Sequence, residues 1–202
     1  VDSHTGWNDL DSKIKEVFLI DNEYFYNLLV NNKKVSENFK TGHYRFSKGV
    51  TLNFLLNTLK YGNQSPVKIV FNTVRNLPEL AGIVSSQLMF DSLEFISVLR
   101  HEETVKRYGF NSENFSTMFI PNTYEVYWTI LADDFVQRMH KEYQKFWNAE
   151  RLEKANSLKM KPYQVSVLAS IVEKETSLKS ELPMVAGVYL NRLRIRMPLQ
   201  AD

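Results

Sequence analysis

The spacing of apolar residues changes along this chain, and that change limits its architecture more than any other feature. Up to residue 71, short apolar runs stand between turn and capping residues. Beyond about residue 77, apolar residues recur mostly at helical spacing. Val17-Phe18-Leu19-Ile20, ended by Asp21-Asn22, predicts a strand followed by a helix N-cap. Tyr24, Phe25, Leu28 and Leu29 then fall at helical spacing over Glu23 to Asn31. Gly42-His43-Tyr44-Arg45-Phe46 alternates and predicts a strand with one buried face. Thr51 caps a helix with the stripe Leu52, Leu55, Leu56 and Leu59, closed by Gly62. Pro66 to Phe71 predicts a further strand, so this part reads as a compact α/β module preceded by a loose polar lead-in over residues 1–13.

The remainder reads as helical. Leu80, Ile83, Val84 and Leu88, then Leu93, Ile96, Val98 and Leu99, mark helical patterns between Leu77 and Arg107. An irregular aromatic stretch covers Phe110 to Trp128. A long helix is predicted from about Ala132 to Lys154, with Phe135, Met139, Tyr143, Phe146 and Trp147 on its core side. Pro162 opens a helix running through Glu175, and a last helix covers about Pro183 to Arg194. Boundaries follow at 14–75 for the α/β module, 76–118 for a helical connecting segment and 119–202 for a second domain. The class is α+β.

Composition closes several functional classes. Hydrophobic residues at 44% with 24% charged describe a globular chain, not a disordered one. A net charge of +2 gives no basic stripe of the kind that holds nucleic acid. With no Cys there is no disulfide framework, Cys-ligated zinc or thiolate nucleophile. His4, His43, His101 and His140 share no ligand spacing, so no metal site is expected. No run of about 18 apolar residues suits a membrane span.

One helix places a carboxylate where chemistry could use it. At about 100° per residue, Leu168, Ile171 and Val172 fall within about 60° of Glu175, while Glu173 points roughly 160° away. Glu175 therefore shares the stripe that must be buried. An apolar pocket disfavours a charged carboxylate and keeps a proton on it near neutral pH, as a general acid requires. The residues equally allow Glu175 to sit at the helix end, reaching water or a partner such as Arg192. Tyr124 and Trp128 could stack on a saccharide, though aromatic rings are more often core.

Ala169-Ser-Ile-Val-Glu-Lys-Glu-Thr176, Val185-Ala-Gly-Val-Tyr-Leu-Asn-Arg-Leu193 and Met197-Pro-Leu-Gln-Ala-Asp202 together resemble the YceG/MltG family of endolytic murein transglycosylases. Phe39-Lys-Thr-Gly-His-Tyr-Arg-Phe46 resembles the strand of that family's LysM-like module, and Phe119-Ile-Pro-Asn-Thr-Tyr124 the segment entering its lysozyme-like catalytic domain. Asn72-Thr73 departs from the Glu-Gly pair that many members carry. The resemblance makes Glu175 the catalytic carboxyl. Thr176 follows it, where its hydroxyl could position the carboxyl or simply serve the helix end; Asn191, Arg192, Gln200 and Asp202 lie in family motifs as substrate contacts or structural hydrogen bonds, and Tyr124 joins them as a substrate contact.

The reaction so implied cleaves the MurNAc–GlcNAc β-1,4 bond within peptidoglycan strands and leaves 1,6-anhydro ends. It needs no metal or organic cofactor, and one carboxyl instead of the usual pair, because the second nucleophile belongs to the substrate. The resemblance also implies a single-pass protein of the bacterial cytoplasmic membrane, with its anchor before Val1, this portion facing the wall, and peptidoglycan synthases as partners. The family pattern continues beyond Asp202, which leaves open whether the catalytic cleft is complete within these residues. A non-catalytic wall-binding protein is the alternative. A pyridoxal-phosphate lyase is disfavoured, since the seven glycines are unclustered and form no phosphate cup.

Overall fold

The computed structural model describes residues 1–72 and 74–200, and it resolves into two compact units. One comprises Val1–Val98 with Pro121–Phe135; the other comprises Leu99–Ile120 with the residues from Val136 onward. Among the described residues the protein is mostly helical, with one two-stranded sheet.

The first unit is built from α1 (Trp7–Val17), α2 (Glu23–Lys33), α3 (Val35–Asn38) and α4 (Leu52–Tyr61). Leu10 and Ile14 of α1 pack with Tyr26, Val30, Val35, Leu55, Leu56 and Leu59 into one buried cluster. Asn22 caps α2 by accepting from the Phe25 amide at 2.9 Å, and Thr51 caps α4 through the Phe54 amide at 3.3 Å. Gly62 ends α4 at φ +71°, a left-handed conformation that favours glycine.

Two strands expected here are absent, and the lead-in is ordered. Trp7–Val17 is a helix because Leu10 and Ile14 lie four residues apart on one face while charged residues cover the other. The run from Val17 is thus the end of α1 and a short connection, in which Phe18 and Ile20 pack on the cluster and Leu19 is 92% exposed. Around Gly42–Phe46 the alternation is expressed without a ladder. Tyr44 and Phe46 pack on the cluster, but the backbone forms no ladder: Gly42 exchanges two bonds with Val1, the His43 carbonyl accepts from the Ser65 amide at 2.8 Å, and the Arg45 amide donates to Ser65 Oγ at 3.2 Å.

The strand that does form, β1 (Val67–Phe71), pairs antiparallel with β2 (Asn122–Val126), so that Val67 faces Val126 and Phe71 faces Asn122. The second strand lies inside the stretch read as irregular. Its Tyr124 and Val126 alternate inward, the period-two signal that neighbouring aromatics obscure. After β1, α5 (Leu77–Ser85) and most of α6 (Ser92–Arg100) complete this unit, with the rings of Phe90, Phe95 and Phe135 4.9–6.2 Å apart.

The second unit holds α7 (Glu102–Arg107), a 3₁₀ turn (Phe115–Met118), most of α8 (Ala132–Phe146), α9 (Ala149–Ser157), α10 (Pro162–Glu175) and α11 (Leu182–Arg194). The single long helix expected from Ala132 to Lys154 is two. Asn148 turns its side chain onto the Arg151 amide at 3.0 Å, offering the backbone a cap in place of a continuing helix. Arg151 lies 4.2 Å over the Phe146 ring and donates to the Phe146 carbonyl at 2.7 Å, fixing the break.

Candidate active site

α10 starts where the sequence says it should. Pro162 occupies the first turn, and the Gln164 side chain turns back to accept from the Lys161 amide at 2.8 Å. From there Leu168 and Val172 reach the interior, where they meet Tyr189 of α11 at the centre of an apolar cluster flanked by Ile171, Leu182, Val185 and Leu190. That packing sets the end of α10 beside the middle of α11. The Tyr189 hydroxyl donates to Glu175 Oε1 at 2.8 Å.

The phenol and the carboxylate differ in environment. Tyr189 is only 6% exposed, so its ring is core and its hydroxyl emerges at the edge of the cluster. Glu175 itself is exposed. The dry pocket expected around it is therefore not present, for a local reason. Val172 is the last deeply buried residue of the stripe, and Glu175 is the final residue of α10. The chain leaves the helix there as extended backbone at Thr176, φ −148° and ψ 139°, so no further turn covers the carboxylate. Glu175 makes no ion pair among the described residues, with Arg192 or any other cation.

The other expected contacts divide between structural duty and exposure. The Thr176 hydroxyl donates to Glu181 Oε2 at 2.7 Å and accepts from the Leu178 amide at 3.1 Å, so it organises the link between α10 and α11. Arg192 donates to the Leu199 carbonyl while its own carbonyl accepts from the Met197 amide at 2.8 Å, tying the segment after α11 back onto the helix. Asn191 and Gln200 are exposed, and Gln200 sits at φ +50°. Asp202 lies outside the described residues. Tyr124 belongs to the other unit, where it is 5% exposed and stacks on Phe71 with centroids 5.4 Å apart, so its ring face is occupied by the core.

Tyr189 and Glu181 were not singled out by the sequence. Tyr189 carries the signal of a core residue, an apolar ring at helical spacing from Val185. Only the packing of two helices reveals that its hydroxyl meets a carboxylate fourteen residues earlier. Glu181 gives no signal beyond a charge at a helix start. Among the described residues no cluster of His, Asp and Glu gathers in a way that could hold a metal ion.

The YceG-like family profile matches residues 1–202. The chain belongs to the YceG-like family. The endolytic murein transglycosylase of Bacillus subtilis (strain 168) is 23% identical to it over 218 residues, covering 100% of this chain. This YceG-like chain spans 60% of the length of that curated relative. A crystal structure of a YceG-like protein from Listeria monocytogenes matches at a TM-score of 0.59 with 20% identity, over 100% of this chain and 71% of that one. The fold is therefore a YceG-like fold.

Proposed function

We propose that this YceG-like chain acts as an endolytic peptidoglycan lytic transglycosylase and that Glu175 is its acid and then its base. The observation that carries the reading is the pairing of Glu175 with Tyr189. A buried phenol holds one carboxylate oxygen at 2.8 Å, while the carboxyl group as a whole stays open to a ligand. An acid that must meet a polymer in mid-strand needs that combination of fixed direction and open approach.

In the proposed reaction the Glu175 carboxyl gives its proton to the oxygen bridging MurNAc C1 and the next GlcNAc, and the C1–O bond breaks. The resulting carboxylate then takes the proton of the MurNAc C6 hydroxyl as that oxygen bonds to C1. The products are a free GlcNAc 4-hydroxyl and a 1,6-anhydroMurNAc end, no water is consumed, and Glu175 returns to its starting form. A strand lying over the end of α10 would remove water from the reacting centre, favouring the internal attack over hydrolysis.

The substrate is inferred from the name of the Bacillus subtilis relative and from the family. Action outside the cytoplasmic membrane follows from that substrate. An anchoring span before Val1 and association with peptidoglycan synthases are the finer parts of the same proposal; no helix among the described residues is long and apolar enough to cross a membrane. Residues 14–75 are proposed as the LysM-like portion, with 1–13 as lead-in, 76–118 as connection and 119–202 as the start of the catalytic domain.

The exposure of Glu175 also favours a second reading, a wall-binding protein without turnover. One experiment separates the two. Purified glycan strands incubated with the protein should acquire anhydro-ended muropeptides, and Glu175→Gln should abolish them while leaving strand binding intact. Binding without new ends in the unmodified protein would establish the second reading.

A further inference from the structure

The second unit contains a cavity of about 490 Å³ at the opposite end of α10 from Glu175, within the range of small-ligand sites. Tyr108, Tyr143 and Tyr163 line it with Asn111, Asn114 and Lys161, and no carboxylate is among its lining residues. The three tyrosines are half-buried and Lys161 is exposed; Tyr108 packs on His140 with centroids 4.7 Å apart and Tyr143 on Phe110 at 5.3 Å, which holds both rings in place.

The hydrogen bonding of this lining is one-sided. Asn111 Oδ1 accepts from the amides of Glu113 and Asn114 at 3.1 and 3.0 Å, and Asn114 Oδ1 accepts from the Asn111 amide at 2.8 Å. Both carboxamide oxygens are thereby used by the loop, which fixes each group and leaves its NH₂ without a partner among the described residues. The three phenol hydroxyls and the Lys161 ammonium likewise have none there. A site of this kind offers ring faces, N–H donors and one cation, and lacks a fixed anion. It suits a ligand with C–H faces, carbonyl or hydroxyl acceptors and a negative charge.

We infer that this cavity is a distal subsite for an N-acetylated sugar bearing a carboxylate-containing peptide, with the sugar against the tyrosines and the carboxylate at Lys161. The inference rests on the proposed glycan-cleaving function and deepens it. α10 runs from the cavity to the reacting carboxyl, and its thirteen steps from Pro162 to Glu175 span about 20 Å at about 1.5 Å each. A strand held at both places reaches across several sugar units. A subsite there would favour strands long enough to occupy it, and cleavage within the strand over cleavage at its end.

The test uses the Glu175→Gln chain, labelled with ¹⁵N and titrated separately with N-acetylmuramyl-L-alanyl-D-isoglutamine and with neutral tetra-N-acetylchitotetraose. The muramyl peptide should shift the amides of Asn111, Asn114 and Tyr163. Lys161→Glu, an exposed substitution whose fold the same spectrum verifies, should weaken it about tenfold or more, the size of one charge-assisted contact. Lys161→Ala should weaken it less, and tetra-N-acetylchitotetraose affinity should change less than about threefold in either variant. Unmoved cavity amides, or equal losses for charged and neutral ligands, would overturn the subsite. Formation of anhydro ends by the unmodified protein is scored separately. Ends without cavity binding sink the subsite alone, whereas cavity binding without ends sinks the transglycosylase reading on which it rests.

Discussion

The Tyr189 hydroxyl donates to Glu175 Oε1 at 2.8 Å, from a ring that is itself part of the core joining α10 to α11. The carboxylate is thus aimed by a residue whose position the hydrophobic core enforces, while its second oxygen is left for a ligand to approach. In the proposed reaction, positioning comes from packing and open approach from exposure.

Tyr189→Phe removes the hydroxyl and keeps the buried ring. A hydrogen bond to a charged group contributes roughly 1.5–3 kcal/mol, so the formation of anhydro ends should slow by about ten- to a hundredfold if the bond also steers the transition state. Strand binding and the thermal midpoint should stay close to those of the unmodified protein. Glycan digestion followed by muropeptide separation measures the first, and thermal unfolding the second.

The break between α8 and α9 should be visible as stability. Asn148→Ala loses the side-chain bond to the Arg151 amide and should cost about 1 kcal/mol, as for other helix N-caps. Denaturant unfolding should show a lower midpoint at unchanged slope. Glu153→Ala, on the exposed side of α9, should leave the midpoint nearly unchanged.

His140 stands with its ring centroid 4.7 Å from that of Tyr108, and burial holds its imidazole below the ordinary value of 6.5. The unfolded chain therefore binds this proton more readily than the folded one. The sign follows: stability is at its full value above about pH 6.5 and falls as pH drops through that value toward the lowered one. Urea midpoints at about pH 5 and about pH 8 should differ less for His140→Phe than for the unmodified protein. Equal differences would show that His140 takes no part.

Local signals in the sequence were read most directly where a single residue decides a backbone choice. Asn22, Thr51, Gly62 and Pro162 each mark a helix end where the structure has one. Partners distant in the chain were not legible. The strand β2 and its pairing with β1 depend on residues some fifty positions apart, and the apolar run at Val17–Ile20 became a helix end because Leu10 and Ile14 supplied the stronger period. At the site, periodicity located the face of α10 but not its depth. Glu175 shares the stripe of Leu168 and Val172, yet as the last helical residue it emerges from the core. The Tyr189 bond was invisible for the same reason as β2, since it exists only once two elements have packed.

In the proposed reaction the nucleophile is the substrate's own C6 hydroxyl, activated by Glu175. Digestion of glycan strands in ¹⁸O-labelled water tests it most directly, with the mass of every new MurNAc end recorded. The account predicts anhydro ends carrying no ¹⁸O from the unmodified protein and no new ends from Glu175→Gln. New reducing ends labelled with ¹⁸O, or anhydro ends formed undiminished by Glu175→Gln, would contradict it.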